Sequence, residues 1–179
     1  MKSIKIHDLQ FKPFLSAIKI RERIDELGQA IYEDYKGKRP IFVCILNGSF
    51  IFTADLVRAT NIECEIAFMK LSSYEGTSST GIVKTLYELQ VSVKDRHVIL
   101  VEDIVDTGRT MKKLLSDFEG LKAASVSVVT LLFKREALLF PDLQIDYVGF
   151  EIPNKFVVGY GLDYDDLGRN WDEIYQLVE

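Results

Sequence analysis

Cysteine is nearly absent from this chain: Cys44 and Cys64 are the only two in 179 residues. Two scattered thiols give neither a disulfide framework nor the spacing of a zinc site, so both read as reduced structural residues. Long apolar runs are missing too. The longest, such as IFVCIL at residues 41–46, reach about six residues, against the roughly 20 needed to span a bilayer. The N-terminal MKSIKIHDLQ has no apolar stretch of signal-peptide length and no small-residue cleavage site. These absences predict a cytoplasmic protein without a membrane partner. Basic charge is not in excess. A net charge of −5 argues against nucleic acid as the main partner, while leaving room for a local basic patch. Neither G-x-x-x-x-G-K-[ST] nor G-x-G-x-x-G occurs, which removes the usual signatures of a P-loop NTPase and a dinucleotide enzyme. His7 and His97 have no partner pattern that suggests catalysis or metal ligation.

What is present is ordinary globular composition, 47% hydrophobic and 27% charged, in a length that suits one domain with a sizeable core. Apolar positions at Ile20, Ile24, Leu27, Ile31 and Tyr35 step by three and four, predicting a helix over 16–36 with Pro13 and Ser16 as start signals and Gly37 as the stop. IFVCIL, VILV (98–101), ASVSVVTLLF (124–133) and IDYVGF (145–150) read as strands, the first two as buried ones. FIFTADLVRAT reads as a short helix, and Met111, Leu114, Leu115 and Phe118 mark another that ends at Gly120. Residues 62–71 and 82–89 read as a strand and its return, joined by the loose polar stretch SSYEGTSSTG (72–81). Alternating strands and helices imply βαβ units, hence an α/β fold with a mostly parallel sheet. FVVGY (156–160) and the last twenty residues break the alternation and are expected to pack over one end of that sheet.

Residues 98–110, VILVEDIVDTGRT, hold the chemistry. In an open α/β sheet ligands bind at the carboxyl ends of strands, where the first turn of the next helix points free N–H groups outward. Gly108 lets a ligand approach the backbone, and Thr107 and Thr110 add hydroxyl donors. Glu102, Asp103 and Asp106 stand beside this anion cradle. A helix cap at Asp106 or Thr107 is the plainer reading, but three carboxylates beside two hydroxyls exceed what a cap requires. A ligand satisfying both demands carries a phosphate for the cradle and hydroxyls or a metal for the acids. A phosphorylated sugar does so.

VILVEDIVDTGRT resembles the phosphoribosyl-pyrophosphate (PRPP) signature of the type I phosphoribosyltransferases: an apolar strand, two adjacent acids, an apolar pair, then D-T-G-x-T. More narrowly, the chain is similar to the hypoxanthine-guanine branch of that family. LNGSFIFTADL (46–56), SSYEGTSSTG, LLFKREA (131–137) and VGFEIPNKFVVGYGLDYDDLGRN (148–170) carry the resemblance, which covers roughly residues 37–170. It implies a parallel sheet flanked by helices over about 16–150, with a small hood from the N-terminal segment and about 151–179, all in one domain. It implies transfer of the 5-phosphoribosyl group from PRPP to N9 of a 6-oxopurine, with Mg²⁺ as cofactor and a homodimer or homotetramer as the assembly. By the same resemblance, Thr107, Gly108, Arg109 and Thr110 hold the 5′-phosphate. Glu102 and Asp103 face the ribose hydroxyls and Mg²⁺, and Asp106 is the general base near the purine N7. Asn47 and Gly48 meet the pyrophosphate, with Asn47 standing where many members have Lys. Lys134 donates to the purine O6, Phe156 stacks on the ring and Val157 offers its backbone to the base edge. Asp163 is tied to a second Mg²⁺ and Arg169 to pyrophosphate. Gly161 replaces a frequent Ala, and Gly168 a bulkier residue. Ser73 and Tyr74 belong to a lid over PRPP; the alternative for 72–81 is a plain hairpin tip.

Without the resemblance, Lys134 reads as a surface lysine beside Arg135 and Phe156 as a packed strand aromatic. A PRPP-sensing regulator is a competing function, but the chain lacks an added DNA-binding segment and keeps purine-side candidates that sensing does not need. An adenine enzyme conflicts with Lys134, because an ammonium cannot accept a hydrogen bond from a 6-amino group.

Overall fold

The computed structural model describes residues 2–73, 83–87 and 89–178. Two short strands, β1 (Ile4–Ile6) and β2 (Leu9–Leu15), precede helix α1 (Ala17–Tyr35), strand β3 (Ile41–Leu46) and helix α2 (Phe50–Thr60). Then come β4 (Glu65–Ser73), β5 (Val83–Tyr87), β6 (His97–Val105), α3 (Arg109–Glu119), β7 (Ser125–Phe133) and β8 (Tyr147–Glu151). The chain closes with β9 (Val157–Val158) and β10 (Ile174–Leu177). The main sheet runs β5-β4-β3-β6-β7-β8. Five of its strands are parallel, and β5 pairs antiparallel with β4. This is the α/β architecture the alternation predicts.

Each face of the sheet has its own core. Ile20, Ile24, Leu27 and Ile31 of α1, with Phe52 and Leu56 of α2, pack on Phe42, Ile99, Val101, Val129 and Leu131. Met111, Leu114 and Phe118 of α3 pack on Val43, Val98, Leu100 and Val128. Burying both faces explains why β3 and β6 read as unbroken apolar runs. At about 1.5–3 kcal/mol per buried aliphatic or aromatic side chain, these two layers supply the main drive for folding. Gly28 sits where α1 crosses the end of α2: a Cβ there would lie 2.7 Å from the Ala59 backbone.

Two local expectations are corrected. Pro13 does not open α1; it lies within β2, and Ser16 alone caps the helix by accepting from the Lys19 N–H at 3.4 Å. A proline fits there because β1 pairs only as far as Phe11, so on that side Pro13 has no neighbour needing its N–H. Second, β6 does not end at Val101 but runs on through Glu102 and Asp103 to Val105. Its pairing with β7 continues to Val105↔Phe133, whereas its pairing with β3 stops at Cys44↔Val101. The acids therefore ride on a strand whose β3 side has fallen away.

The tail is more ordered than the sequence suggests. β9 and β10 join β1 and β2 in a separate four-stranded antiparallel sheet, order β1-β2-β10-β9, around Ile6, Phe11, Val158 and Tyr175. Both chain ends thus build the hood. Among the described residues no helix is long and apolar enough to cross a membrane.

Candidate active site

The carboxyl end of β6 leads through Asp106, Thr107 and Gly108 into α3. The N-cap is Gly108, with φ of 79° and no side-chain capping bond, so neither Asp106 nor Thr107 serves as the cap. The first-turn N–H groups have no intrahelical partner and are left to an anion. Gly108 is favoured by its positive φ, and a Cβ there would also have to push aside the tips of Leu138 and Leu143. Thr107, Gly108, Arg109 and Thr110 line a cavity of about 80 Å³ together with Glu102, Ile104, Val105, Asp106 and Met111.

The two adjacent acids diverge. Glu102 turns into this cavity; its Oε2 is sealed from solvent and has no hydrogen-bond partner among the described residues. Burial, and then the charge of Asp103, hold the Glu102 carboxyl well above the usual range. Asp103 reaches the opposite way, with Oδ2 so close to Gly48 that a Cβ there would lie 1.5 Å from it. Burial lifts Asp103 to about 6, opposed by the N–H of Ile104 donating to Oδ1 at 2.8 Å and by the Arg169 guanidinium. As whole residues both acids are half-buried, so the carboxylate tips, not the full side chains, carry the desolvation.

Asn47 and Gly48 form the turn between β3 and α2, Asn47 exposed and Gly48 half-buried; the Leu46–Asn47 peptide is cis. Against this turn lies the hood. Gly161, with φ of 102°, approaches so closely that a Cβ would lie 2.0 Å from the Gly48 carbonyl oxygen. Gly168 also has positive φ, 104°, and faces Ile6. Both departures from the family's frequent residues thus have local backbone causes. Arg169 pairs with Asp163 at 2.8 Å and donates to the Gly161 carbonyl at 2.9 Å. Asp163 also accepts from the Asp166 N–H at 2.9 Å.

Lys134 follows β7 and is not a surface lysine: it is 6% exposed and its ammonium lies 2.8 Å from Asp106 Oδ2. Phe156 is 42% exposed, with its ring held edge-on by Tyr164 at 5.8 Å and tilted against Phe11 at 6.0 Å. Val157 is buried and its β9 backbone pairs with β10. Phe11 stands in no motif, and Tyr164, though inside the 148–170 segment, carries no role there; only the hood's folding brings the two to Phe156. Tyr74 and the rest of 74–81 lie outside the described residues, so the lid expectation, with the Ser73 side chain, has no structural description.

Among the described residues no three His, Cys, Asp or Glu side chains gather into a site that could hold a metal unaided. Glu102 and Asp103 stand on the sheet and Asp163 on the hood, engaged with Arg169.

A strand-end anion cradle, acids with buried carboxylate tips and a small hood fit a transferase acting on phosphorylated sugars. A family model described as "Phosphoribosyl transferase domain" matches residues 15–165, and the chain belongs to that family. Within it the chain stands with the hypoxanthine-guanine phosphoribosyltransferases. The enzyme of that name from Streptococcus pneumoniae strain R6 is 44% identical over 169 residues, covering 94% of this chain and 93% of its own. A hypoxanthine phosphoribosyltransferase structure from Staphylococcus aureus has a TM-score of 0.88 at 39% identity, covering 93% of this chain and 91% of its own. One from Trypanosoma cruzi reaches 0.89 at 39% identity, covering 98% and 95%.

Proposed function

We propose that this chain transfers the 5-phosphoribosyl group of PRPP to N9 of hypoxanthine or guanine, giving the nucleotide and pyrophosphate as a purine-salvage reaction. The observation that carries the reading is the meeting of Asp106 and Lys134 beside the anion cradle, from adjacent strands and at 2.8 Å. One end of the site thus fits a phosphate, and the other fits a base edge bearing one acceptor and one proton to lose.

In this reading Thr107, Gly108, Arg109 and Thr110 bind the 5′-phosphate through first-turn amides and hydroxyls. Glu102 and Asp103 accept from the ribose hydroxyls. Ribose hydroxyls entering the cavity supply the partner that Glu102 Oε2 lacks. Cleavage leaves positive charge on the sugar ring, as in glycoside hydrolysis, and carboxylates beside it favour that charge. Asn47, Gly48 and Arg169 meet the pyrophosphate where the turn after β3 faces the hood. Phe156 stacks on the purine and the Val157 backbone meets its edge. Lys134 exchanges Asp106 for O6, and Asp106, so released, accepts the purine proton. The preference for a 6-oxo over a 6-amino base follows from Lys134 being a donor only. Ser73 and Tyr74 shield the sugar carbon from water as a lid.

The acids suit Mg²⁺ in a particular way. An orphaned carboxylate oxygen with no protein cage around it fits an ion that keeps substrate oxygens in its shell. Glu102 and Asp103 would hold one such ion at the ribose and Asp163 a second on the pyrophosphate side, and their charge would offset that of the departing pyrophosphate. We take the chain as one catalytic domain, working in the cytoplasm as a homodimer or homotetramer. The Trypanosoma cruzi structure was studied for the part its C-terminal region plays in oligomeric state and activity.

The test is PRPP with Mg²⁺ and hypoxanthine, guanine, xanthine, adenine and uracil in parallel, following pyrophosphate. Release with hypoxanthine or guanine is expected, and release with none of the five overturns the reading.

A further inference from the structure

The hood turn that reaches the core contains three successive residues of positive φ: Gly159 at 100°, Tyr160 at 51° and Gly161 at 102°. Glycine is required on either side. A Cβ on Gly159 would lie 2.1 Å from the Glu173 carbonyl, and one on Gly161 2.0 Å from the Gly48 carbonyl. Tyr160 occupies the left-handed region without that freedom, where a bulky residue is disfavoured. Such an outlier persists only where its surroundings over-determine it, and it points to a function.

The surroundings are specific. The Tyr160 N–H donates to the Trp171 carbonyl at 2.8 Å, and the next N–H, of Gly161, to that of Arg169 at 2.9 Å. The side chain crosses from hood to core, where its hydroxyl donates to Asp55 Oδ2 of α2. Asp55 is itself held by Arg58, one turn further along the helix. Tyr160 is 5% exposed, and burial followed by the Asp55 carboxylate pushes its hydroxyl pKa upward, so it stays a donor. Helix α2 begins directly after the Asn47–Gly48–Ser49 turn. The residues after Tyr160 include Gly161, Asp163 and Arg169. One hydrogen bond therefore ties together the two elements that face each other across Gly48, Asp103 and Arg169.

We infer that Tyr160 is a positioning residue, a strut from the hood to Asp55 that sets the hood turn 159–169 against the Asn47–Gly48 turn and fixes the width of the pyrophosphate end of the site. This rests on the reading that pyrophosphate binds there. The purine end uses Lys134, Asp106, Phe156 and Val157, none of which hydrogen-bonds to Tyr160 or Asp55. The two hood residues among them are held by β9–β10 pairing and by Phe11, so the strut acts chiefly on PRPP.

Tyr160→Phe keeps the ring and removes one oxygen. The expected result is about tenfold weaker PRPP binding, by calorimetry with Mg²⁺ and as a raised KM for PRPP, with hypoxanthine affinity unchanged. Asp55→Ala should match it, and the double variant should be no worse than either single one. Asp55→Asn, which keeps an acceptor oxygen, should restore near-normal PRPP affinity. Wild-type PRPP affinity in Tyr160→Phe, equal weakening for both substrates, or additive losses in the double variant would each overturn the strut. Tyr160→Phe carries the test if Asp55→Ala does not fold. No nucleotide from the wild-type chain with any base sinks the functional reading instead. Nucleotide formation alongside unaltered PRPP binding in Tyr160→Phe sinks only the strut.

Discussion

Lys134 and Asp106 show what a single residue's surroundings decide. In the sequence they lie far apart, one beside a surface-looking arginine and the other inside a recognisable motif. The pairing of β6 with β7, with Val105 opposite Phe133, brings both to the same strand ends. Asp106→Asn should lower kcat by roughly 10²–10⁴-fold, the usual range for a positioned proton acceptor, read in steady-state assays on variant confirmed to be folded. Asp103 offers a pH test. Its carboxyl is raised from an ordinary 3.8 to about 6, so the folded state binds the proton more tightly than the unfolded chain does. Its contribution to stability is therefore complete below about 4 and is lost as pH rises through about 6. Thermal melts of the ligand-free protein should show this loss, and Asp103→Asn should flatten the curve over that window. Opposing trends from paired carboxylates such as Asp142 cancel in the comparison. The motif acids were legible because they are contiguous. Their divergence, Glu102 to the cradle and Asp103 to Gly48, was not, since it follows from β6 running on through both residues and sending adjacent side chains to opposite faces.

At the scale of elements, long periodic segments were readable and short ones were not. The helix over residues 17–35 declared itself by its apolar steps, and β3 and β7 by their apolar runs. β1 has three residues and β9 two, too few to show any period; β1 exists through a hairpin with β2, and β9 through pairing with the more distant β10. β6 was underestimated because Glu102 and Asp103 look like a loop, though their backbone continues the ladder. The contact of α1 with α2 yields a prediction of its own. Gly28→Ala gains helix propensity worth about 1 kcal/mol, but its methyl must displace the Ala59 backbone, and overpacking typically costs about 1–3 kcal/mol. Displaced backbone gives less readily than a side chain, so the expected outcome is a lower midpoint in urea despite the better helix former.

The whole molecule is a sheet with a lid of β-structure assembled from both ends of the chain. β2 pairs with β10, so the hood cannot close until the last strand is available, and Phe156 gains its backing from Phe11 only then. Local pattern could place the tail over the sheet, while a share for the N-terminal segment in the hood was implied only by the family resemblance, since β1 and β2 are too short to announce their partners. At the carboxyl ends of β6 and β7, Lys134 is buried while its partner Asp106 keeps 46% of its side chain exposed toward the cleft. The Asp106–Lys134 pair is electrically neutral as a unit before the base arrives, and a neutral purine leaves the count of charges unchanged. PRPP, by contrast, brings several negative charges to a protein that is already at −5 overall. Ionic strength should therefore separate the two substrates: raising salt from about 0.05 to 0.5 M shortens the screening length several-fold and should shift the KM for PRPP while leaving that for hypoxanthine nearly fixed. An ion pair that is neutral as a unit, in this sense, makes recognition of the base indifferent to the salt in which the enzyme works.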